Sequence, residues 1–143
     1  LIYAHINAPH GPYVFDRNGN FKYTYNPEDN APYYLEQVEY VNKRVLELVD
    51  TLIAGSDVPP IILLQADHGA HVLTSGLDKH KILSAFYLPG GADKDLYDTI
   101  TPVNTFRLIL RDYFDKEIPL LPDDLILQGD GKTETVPSTC PVP

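Results

Sequence analysis

Histidines, with an aspartate beside one of them, are the residues of this sequence whose types and spacing could do chemistry. Five are present, all within the first 80 residues: His5, His10, His68, His71 and His80. The first two flank the end of a short apolar run, and the third follows Asp67 at the end of another. Neutral imidazoles and a carboxylate suit Zn²⁺ or Mn²⁺. If the two apolar runs are neighbouring parallel strands, the histidines converge on one edge of a sheet.

Each of these residues also has an ordinary structural explanation. An Asp-His pair at the end of a strand can form a turn or cap a helix, and His10, His71 and His80 can be exposed loop residues. Spacing therefore leaves two hypotheses open, namely a metal site and a plain α/β interaction domain in which the histidines are incidental. Gly69, which follows the Asp-His pair, would let the backbone pass close to a metal or a substrate.

A strand, a long helix and a second strand are predicted to position the histidines. Residues 1–6 are apolar and β-prone, and residues 61–64 lack alternation, as in a strand covered on both faces. Between them, apolar residues recur at helical spacing: Leu35, Val38, Val41, Val45, Leu48, Val49 and Leu52. Pro32 falls in the first turn of this helix, and Gly55 stops it.

Turn residues and apolar spacing predict three further elements. Asn18-Gly19-Asn20 predicts a hairpin between residues 13–15 and 21–25. Residues 82–88 form another apolar run. A second helix is predicted over residues 103–113, and its spacing would turn four apolar side chains inward: Val103, Phe106, Leu110 and Phe114.

Buried strands that are separated by helices predict an α/β fold, with a mostly parallel sheet flanked by helices. In open α/β sheets, ligands bind at the carboxyl ends of the strands, where His5 and the Asp67-His68 pair would lie. After Leu127 the composition shifts to Gly, Lys, Thr, Pro and Ser. Residues 1–127 are therefore predicted to form the folded domain, and residues 128–143 a Pro- and Thr-rich tail.

Composition limits the partners of the chain. Its 143 residues carry a net charge of −9, which argues against nucleic-acid binding because phosphates need Lys and Arg. The sequence has no basic patch for an anionic membrane and no apolar run as long as a membrane span, so no membrane contact is expected within it. Cys140 is the single cysteine and cannot form an internal disulfide. Because the sequence contains no Met and starts inside an apolar run, we expect it to be a piece of a longer protein.

Two motifs resemble the alkaline phosphatase superfamily, most closely its sulfatase-like, phosphoethanolamine transferase and lipoteichoic acid synthase branches. In AHINAPHGPY, residues 4–13, a His on the strand is followed five residues later by a His before Gly-Pro. In IILLQADHG, residues 61–69, an apolar strand ends in Asp-His-Gly. The long helix between them and TPVNTFRLILRDYF, residues 101–114, also resemble the sulfatase-like members. The resemblance implies the C-terminal portion of an alkaline-phosphatase-like catalytic domain.

The resemblance implies a role for each candidate residue. Asp67 and His68 would be metal ligands, and an Asp-His rather than an Asp-Asn pair implies Zn²⁺ or Mn²⁺ over Ca²⁺. His10 would be the catalytic contact that stabilises charge on the transferring phosphate or sulfate group. His5 would also contact this group or a second metal. His80, thirteen residues after Asp67, would correspond to a further substrate-binding His of phosphoethanolamine transferases.

The resemblance also implies parts that this sequence lacks. The Thr, Ser or modified Cys nucleophile and an acidic metal ligand come from the N-terminal half of such domains, so we expect them upstream of Leu1. Cys140 lacks a sulfatase-type signature, and His71 matches no position of the family. The expected function is a metal-dependent hydrolase or transferase of phosphate or sulfate esters, inactive as an isolated fragment and located on the extracytoplasmic face of a membrane. The alternative is a non-catalytic α/β binding or scaffold module with a degenerate metal site.

Overall fold

The computed structural model describes residues 1–22, 31–73, 76–129 and 132–137. Its helices and strands are α1 (Ala31–Ala54), β1 (Ile62–Gln65), β2 (Ser84–Tyr87), α2 (Pro102–Phe114), β3 (Asp124–Gly129) and β4 (Lys132–Pro137). Two 3₁₀ helices, Gly76–His80 and Pro89–Asp95, flank β2. The chain divides into two compact units, Leu1–Tyr87 and Leu88–Pro143.

The long helix of the first unit is confirmed. α1 has 24 residues, contains Pro32 in its first turn and ends immediately before Gly55. Its apolar stripe is only partly covered, since Leu35 and Leu48 keep 45% and 47% of their surface exposed. The buried side chain of this helix is a polar one, Gln37.

Residues 10–22 form a loop and hairpin that pack on the first three turns of α1. Phe15 and Phe21 make an antiparallel bridge, and the Lys22 N–H donates to the Val14 carbonyl at 2.8 Å. These contacts confirm the hairpin that was predicted around Asn18-Gly19-Asn20. Of its predicted second strand, residues 23–25 lie outside the described residues.

Tyrosines of α1 define how closely this hairpin approaches the helix. Tyr13 is buried and lies edge-on to Tyr34, with ring centroids 5.7 Å apart. Gly19 has a φ of +83°, and a Cβ at this position would lie 2.4 Å from the Tyr40 ring. A glycine is required here because its backbone conformation is strained for other residues and because no side-chain atom fits against Tyr40.

The strands of the first unit pair antiparallel, which differs from the predicted parallel sheet. β1 and β2 align Leu63 with Phe86 and Gln65 with Ser84. A parallel pair needs a crossover, usually an α-helix, whereas the described part of the link contains only a short 3₁₀ helix, Gly76–His80, and returns in the opposite direction. Both sheets among the described residues are two-stranded and antiparallel. Helices and strands are thus present as an α/β fold requires, but the strands that the structure describes form no parallel sheet.

The prediction of a strand at residues 1–6 is wrong for this structure. This segment has no regular secondary structure, and its apolar side chains are exposed, with Ile2 at 92%. A strand needs a neighbour for its backbone N–H and C=O groups, and no described strand lies beside this segment. Apolar composition alone cannot supply that partner. The predicted sheet edge that would join His5 to the Asp67-His68 pair is therefore not formed by the described residues.

The second helix is confirmed in position, but it buries a different face from the predicted one. α2 begins at Pro102 and ends at Phe114. Its buried side chains are Asn104, Thr105, Leu108 and Ile109, whereas Val103, Phe106 and Phe114 are exposed. The reason is a hydrogen-bonding demand: the Asn104 amide donates to the Leu121 carbonyl at 2.8 Å and accepts from the Leu121 N–H at 2.9 Å. This pairing turns inward the face that carries Asn104 and Thr105 together with Leu108 and Ile109.

The chain after α2 contains regular structure. β3 and β4 pair antiparallel from Asp124 with Pro137 to Gly129 with Lys132. The strand β4 therefore lies within residues 128–143, and the predicted boundary between domain and tail stays a prediction. In the described parts of the chain, no helix combines the length and the apolar character needed to cross a membrane.

Candidate functional site

The Asp67-His68 pair lies directly after β1, as predicted. The Ala66 N–H donates to the Leu83 carbonyl at 2.9 Å, and the chain then turns away from β2. The Asp67 carboxylate accepts the His68 N–H at 3.1 Å, which is a local turn contact. Its side chain is nevertheless 89% exposed, and its second oxygen lies 3.8 Å from His68 Nε2. The turn is thus compatible with metal binding, because it engages one oxygen of the Asp67 carboxylate and leaves the other oxygen for a metal ion.

The separation of these two side chains can be compared with that of two ligands on one divalent metal ion. Two donors about 2.1 Å from a tetrahedral Zn²⁺ lie about 3.4 Å apart. The observed 3.8 Å between the Asp67 oxygen and His68 Nε2 is close to that spacing. His68 Nδ1 lies 2.8 Å from the Gly69 carbonyl, which only accepts, so Nδ1 carries the hydrogen. In the neutral ring, Nε2 then holds the lone pair that a metal needs, and the Nδ1 hydrogen bond fixes the ring.

Gly69 makes a close backbone approach, but the approach is to another segment of the protein. A Cβ at this position would lie 2.7 Å from the Lys81 carbonyl oxygen, 2.9 Å from that of Lys79 and 3.0 Å from that of Asp78. The Gly69 N–H also donates to the Lys79 carbonyl at 2.6 Å. The segment that contains His80 is therefore held against the residue that follows the Asp-His pair. His80 itself is half-buried at the end of the 3₁₀ helix.

His71 was given no role from the sequence, yet its ring is packed on that of His68. The two ring centroids are 4.3 Å apart, and the ring planes are tilted by 45°. The sequence indicates this contact only through spacing: His68 and His71 are three positions apart, a distance that a turn can close. Even so, the described residues contain no group of three His, Cys, Asp or Glu side chains that could hold a metal ion.

His10 shares its local geometry with His68. His10 Nδ1 lies 2.6 Å from the carbonyl of the following glycine, Gly11, so the same nitrogen carries the hydrogen in both rings. The His10 N–H donates to the Asn7 carbonyl at 2.9 Å. His5 is exposed, and its Nδ1 lies 3.4 Å from the Tyr3 hydroxyl. Among the described residues, the side-chain hydrogen bonds of His5 and His10 are thus local, and their predicted contact with the substrate stays a prediction.

Gln37 is a contact of the His10 loop that reasoning from the sequence missed. Its Nε2 donates to the His10 carbonyl at 3.2 Å, across 27 positions of sequence. In the sequence, Gln37 is one of two polar residues between Tyr34 and Val38, and it lies on the side of α1 that meets the loop. A prediction from apolar periodicity assigns a polar residue of this kind to the solvent-exposed face of the helix.

The Asp16 carboxylate lies in the hairpin that follows the His10 loop. The pKa of Asp16 is lowered, chiefly because the Asn20 side chain donates to its carboxylate, with backbone N–H groups of Asn20 and Asn18 contributing. These hydrogen bonds stabilise the turn of the hairpin.

A comparison with protein families agrees with the two motifs. The sulfatase family profile matches residues 1–107 of the 143-residue chain, a range that contains both AHINAPHGPY and IILLQADHG. No curated protein and no solved structure matches the chain. The chain belongs to the sulfatase family, and through it to the alkaline phosphatase superfamily.

Proposed function

We propose that this chain is the C-terminal part of the catalytic domain of a metal-dependent hydrolase or transferase that acts on sulfate or phosphate esters. Membership of the sulfatase family supports the ester class. The observation that carries the metal-binding role is the 3.8 Å separation of the Asp67 carboxylate from His68 Nε2. The Asp-His pair favours Zn²⁺ or Mn²⁺, and His80 resembles a further His of the phosphoethanolamine transferases.

Some of the candidate residues of this chain would bind a metal ion, and the others would bind the substrate. A bound divalent ion lowers the pKa of a nucleophile and neutralises charge on the transferring group. Asp67 and His68 would hold that ion, whereas His5, His10 and His80 would bind the anionic group of the ester. Upstream polypeptide, the N-terminal half of the same domain, would supply the nucleophile and an acidic ligand. We propose an extracytoplasmic location on the strength of the resemblance.

Calorimetric titration of the chain with Zn²⁺, Mn²⁺ and Ca²⁺ tests the ligand assignment. We expect weak binding, because two donors are fewer than the three or four of an ordinary site, with Zn²⁺ or Mn²⁺ bound more tightly than Ca²⁺. Asp67→Ala should weaken the affinity by about tenfold or more, since it removes half of the chelate. Asp57→Ala, at an exposed aspartate before β1, is the matched control and should bind as wild type does. Unchanged affinity in Asp67→Ala contradicts the assignment.

A second candidate function is a non-catalytic binding or scaffold module with a degenerate site. It is favoured by the fact that no three-residue metal group occurs within the described parts of the chain. The two functions differ upstream, where the enzyme requires a Thr, Ser or Cys nucleophile and the module does not. Hydrolysis of 4-nitrophenyl sulfate or phosphate by the full-length protein, lost on replacing that nucleophile, would establish the enzyme.

A further inference from the structure

We propose that Gln37 is the positioning residue of His10, so that helix α1 determines where this imidazole lies. The proposal rests on the proposed function, because a fixed position of His10 matters for binding the anionic group of the ester. It concerns a residue of a different element, 27 positions along the chain, that neither motif contains. Its basis is the hydrogen bonding of one buried amide.

The Gln37 side chain is 1% exposed and makes hydrogen bonds with both of its ends. Its Oε1 accepts the Val14 N–H at 2.9 Å and the Phe15 N–H at 3.3 Å. Its Nε2 donates to the His10 carbonyl at 3.2 Å. A single side chain therefore binds the His10 carbonyl and the backbone N–H groups four and five residues further along the loop.

Hydrogen bonds within the loop connect the contact with Gln37 to the His10 imidazole. The backbone N–H of His10 is bound by Asn7, and the ring is bound by the next carbonyl, that of Gly11. With its own carbonyl held by Gln37, His10 has its N–H, its C=O and its ring engaged at once. Loss of Gln37 would free the carbonyl and leave the Val14 and Phe15 N–H groups without their acceptor, so the loop would rearrange.

Imidazole ¹⁵N NMR of the chain tests the proposal, with His68 as an internal control. His68 makes the same Nδ1 contact with its following glycine, whereas the hydrogen bonds of Gln37 go to His10, Val14 and Phe15. In Gln37→Leu, the His10 nitrogen signals should shift towards tautomer averaging while those of His68 stay in place. The amides of Val14 and Phe15 should exchange with solvent about tenfold faster. Asn42→Leu removes an exposed amide from the same helix and should change none of these signals.

Gln37→Glu provides a second variant, which also serves if Gln37→Leu fails to fold. It keeps the acceptor for Val14 and Phe15, so their slow exchange should persist, but it places an oxygen against the His10 carbonyl. The His10 signals should therefore move in this variant as well. Unchanged His10 signals in both variants, or equal movement of His10 and His68, would overturn the proposal.

Titration with inorganic sulfate separates this proposal from the proposed function. We expect sulfate to shift the His10 signals of the wild-type chain, and to shift them less in Gln37→Leu. If sulfate leaves the wild-type signals in place, the substrate-binding role of His10 fails. The comparison of wild type with the two Gln37 variants needs no ligand, so it decides the positioning role by itself.

Discussion

Removal of the Asp123 carboxylate should destabilise the second unit because this group holds the start of α2. Asp123 accepts the Thr101 N–H at 2.7 Å and the Thr101 hydroxyl at 2.6 Å with one oxygen. With the other it accepts the Tyr97 hydroxyl at 2.5 Å and the Asn104 amide at 3.0 Å. Thr101 precedes α2 in the capping position but makes no side-chain cap to the helix, because its hydroxyl is bound to Asp123.

The magnitude follows from the four hydrogen bonds and the burial of their donors. A hydrogen bond to a charged group contributes about 1.5–3 kcal/mol, but bonds that share one carboxylate are not additive. Asn104 is fully buried and Thr101 is 8% exposed, so water cannot replace the lost acceptor easily. We expect Asp123→Ala to lower the free energy of unfolding by about 3 kcal/mol. Asp123→Asn, which keeps one acceptor oxygen, should cost about 2 kcal/mol.

The destabilisation should depend on pH with a defined sign. Burial is the strongest influence on the pKa of Asp123 and raises it, but the hydrogen bonds from Thr101, Tyr97 and Asn104 together lower it below 3.8. A carboxylate with a lowered pKa in the folded state stabilises the fold fully above the unfolded pKa. That contribution is lost as the pH falls below 3.8 and through the folded pKa. The difference between wild type and Asp123→Asn should therefore be full at pH 7 and shrink under acid conditions.

Hydrogen exchange of the Leu108 and Ile109 amides measures this stability within the second unit. The rates should rise in Asp123→Asn by about thirtyfold at neutral pH, which corresponds to 2 kcal/mol. Asp124→Asn is a matched control, since Asp124 is the adjacent aspartate and is exposed. Equal rates in Asp123→Asn and Asp124→Asn, or a difference that does not shrink in acid, would refute the reasoning.

Two further predictions concern the first unit. Gly69→Ala should loosen the loop between β1 and β2 by about 1–3 kcal/mol, because its Cβ would lie 2.7 Å from the Lys81 carbonyl oxygen. Calorimetry should show weaker Zn²⁺ binding, and an affinity equal to that of wild type would show that the loop is not required. Asn20→Ala should raise the pKa of Asp16 towards 3.8, because the Asn20 side chain is the largest influence that lowers it. A ¹³C titration of the Asp16 carboxylate measures this pKa. An unchanged pKa in Asn20→Ala would show that the hydrogen bond from Asn20 does not lower it.

The elements of this chain could be predicted from local sequence, but their partners could not. Pro32 and Gly55 bracket α1 because proline fits a first turn and glycine ends a helix, and both preferences act within a few residues. The direction of β1 against β2 depends on how the intervening loop returns, which apolar periodicity does not encode. The buried face of α2 depended on Asn104, whose partner Leu121 lies 17 positions away. The return of a loop and a long-range hydrogen bond, rather than apolar spacing, decided these two outcomes.

In the candidate site as well, the local features could be predicted from the sequence, but the long-range contacts could not. The Asp67-His68 pair could be placed at the end of β1, because an apolar run that stops on polar residues marks a strand end. The neighbours of that pair could not be foreseen: Gly69 meets the backbone of residues 78–81, and His71 packs on His68. Gln37 was hidden for a related reason, since its partners are backbone groups and carry no sequence signal.

The repeated His-Gly dipeptide sharpens what the two proposed sites require. His10 and His68 each give their Nδ1 hydrogen to the carbonyl of the following glycine, so each ring is left with Nε2 for chemistry. A neutral Nε2 accepts, which suits His68 as a ligand of a cation. The same nitrogen can donate to a sulfate or phosphate oxygen only when it is protonated. The proposed roles therefore require opposite charge states of two rings whose Nδ1 atoms are bound alike: His68 must act as neutral imidazole, and His10 must act as imidazolium when it contacts the anion.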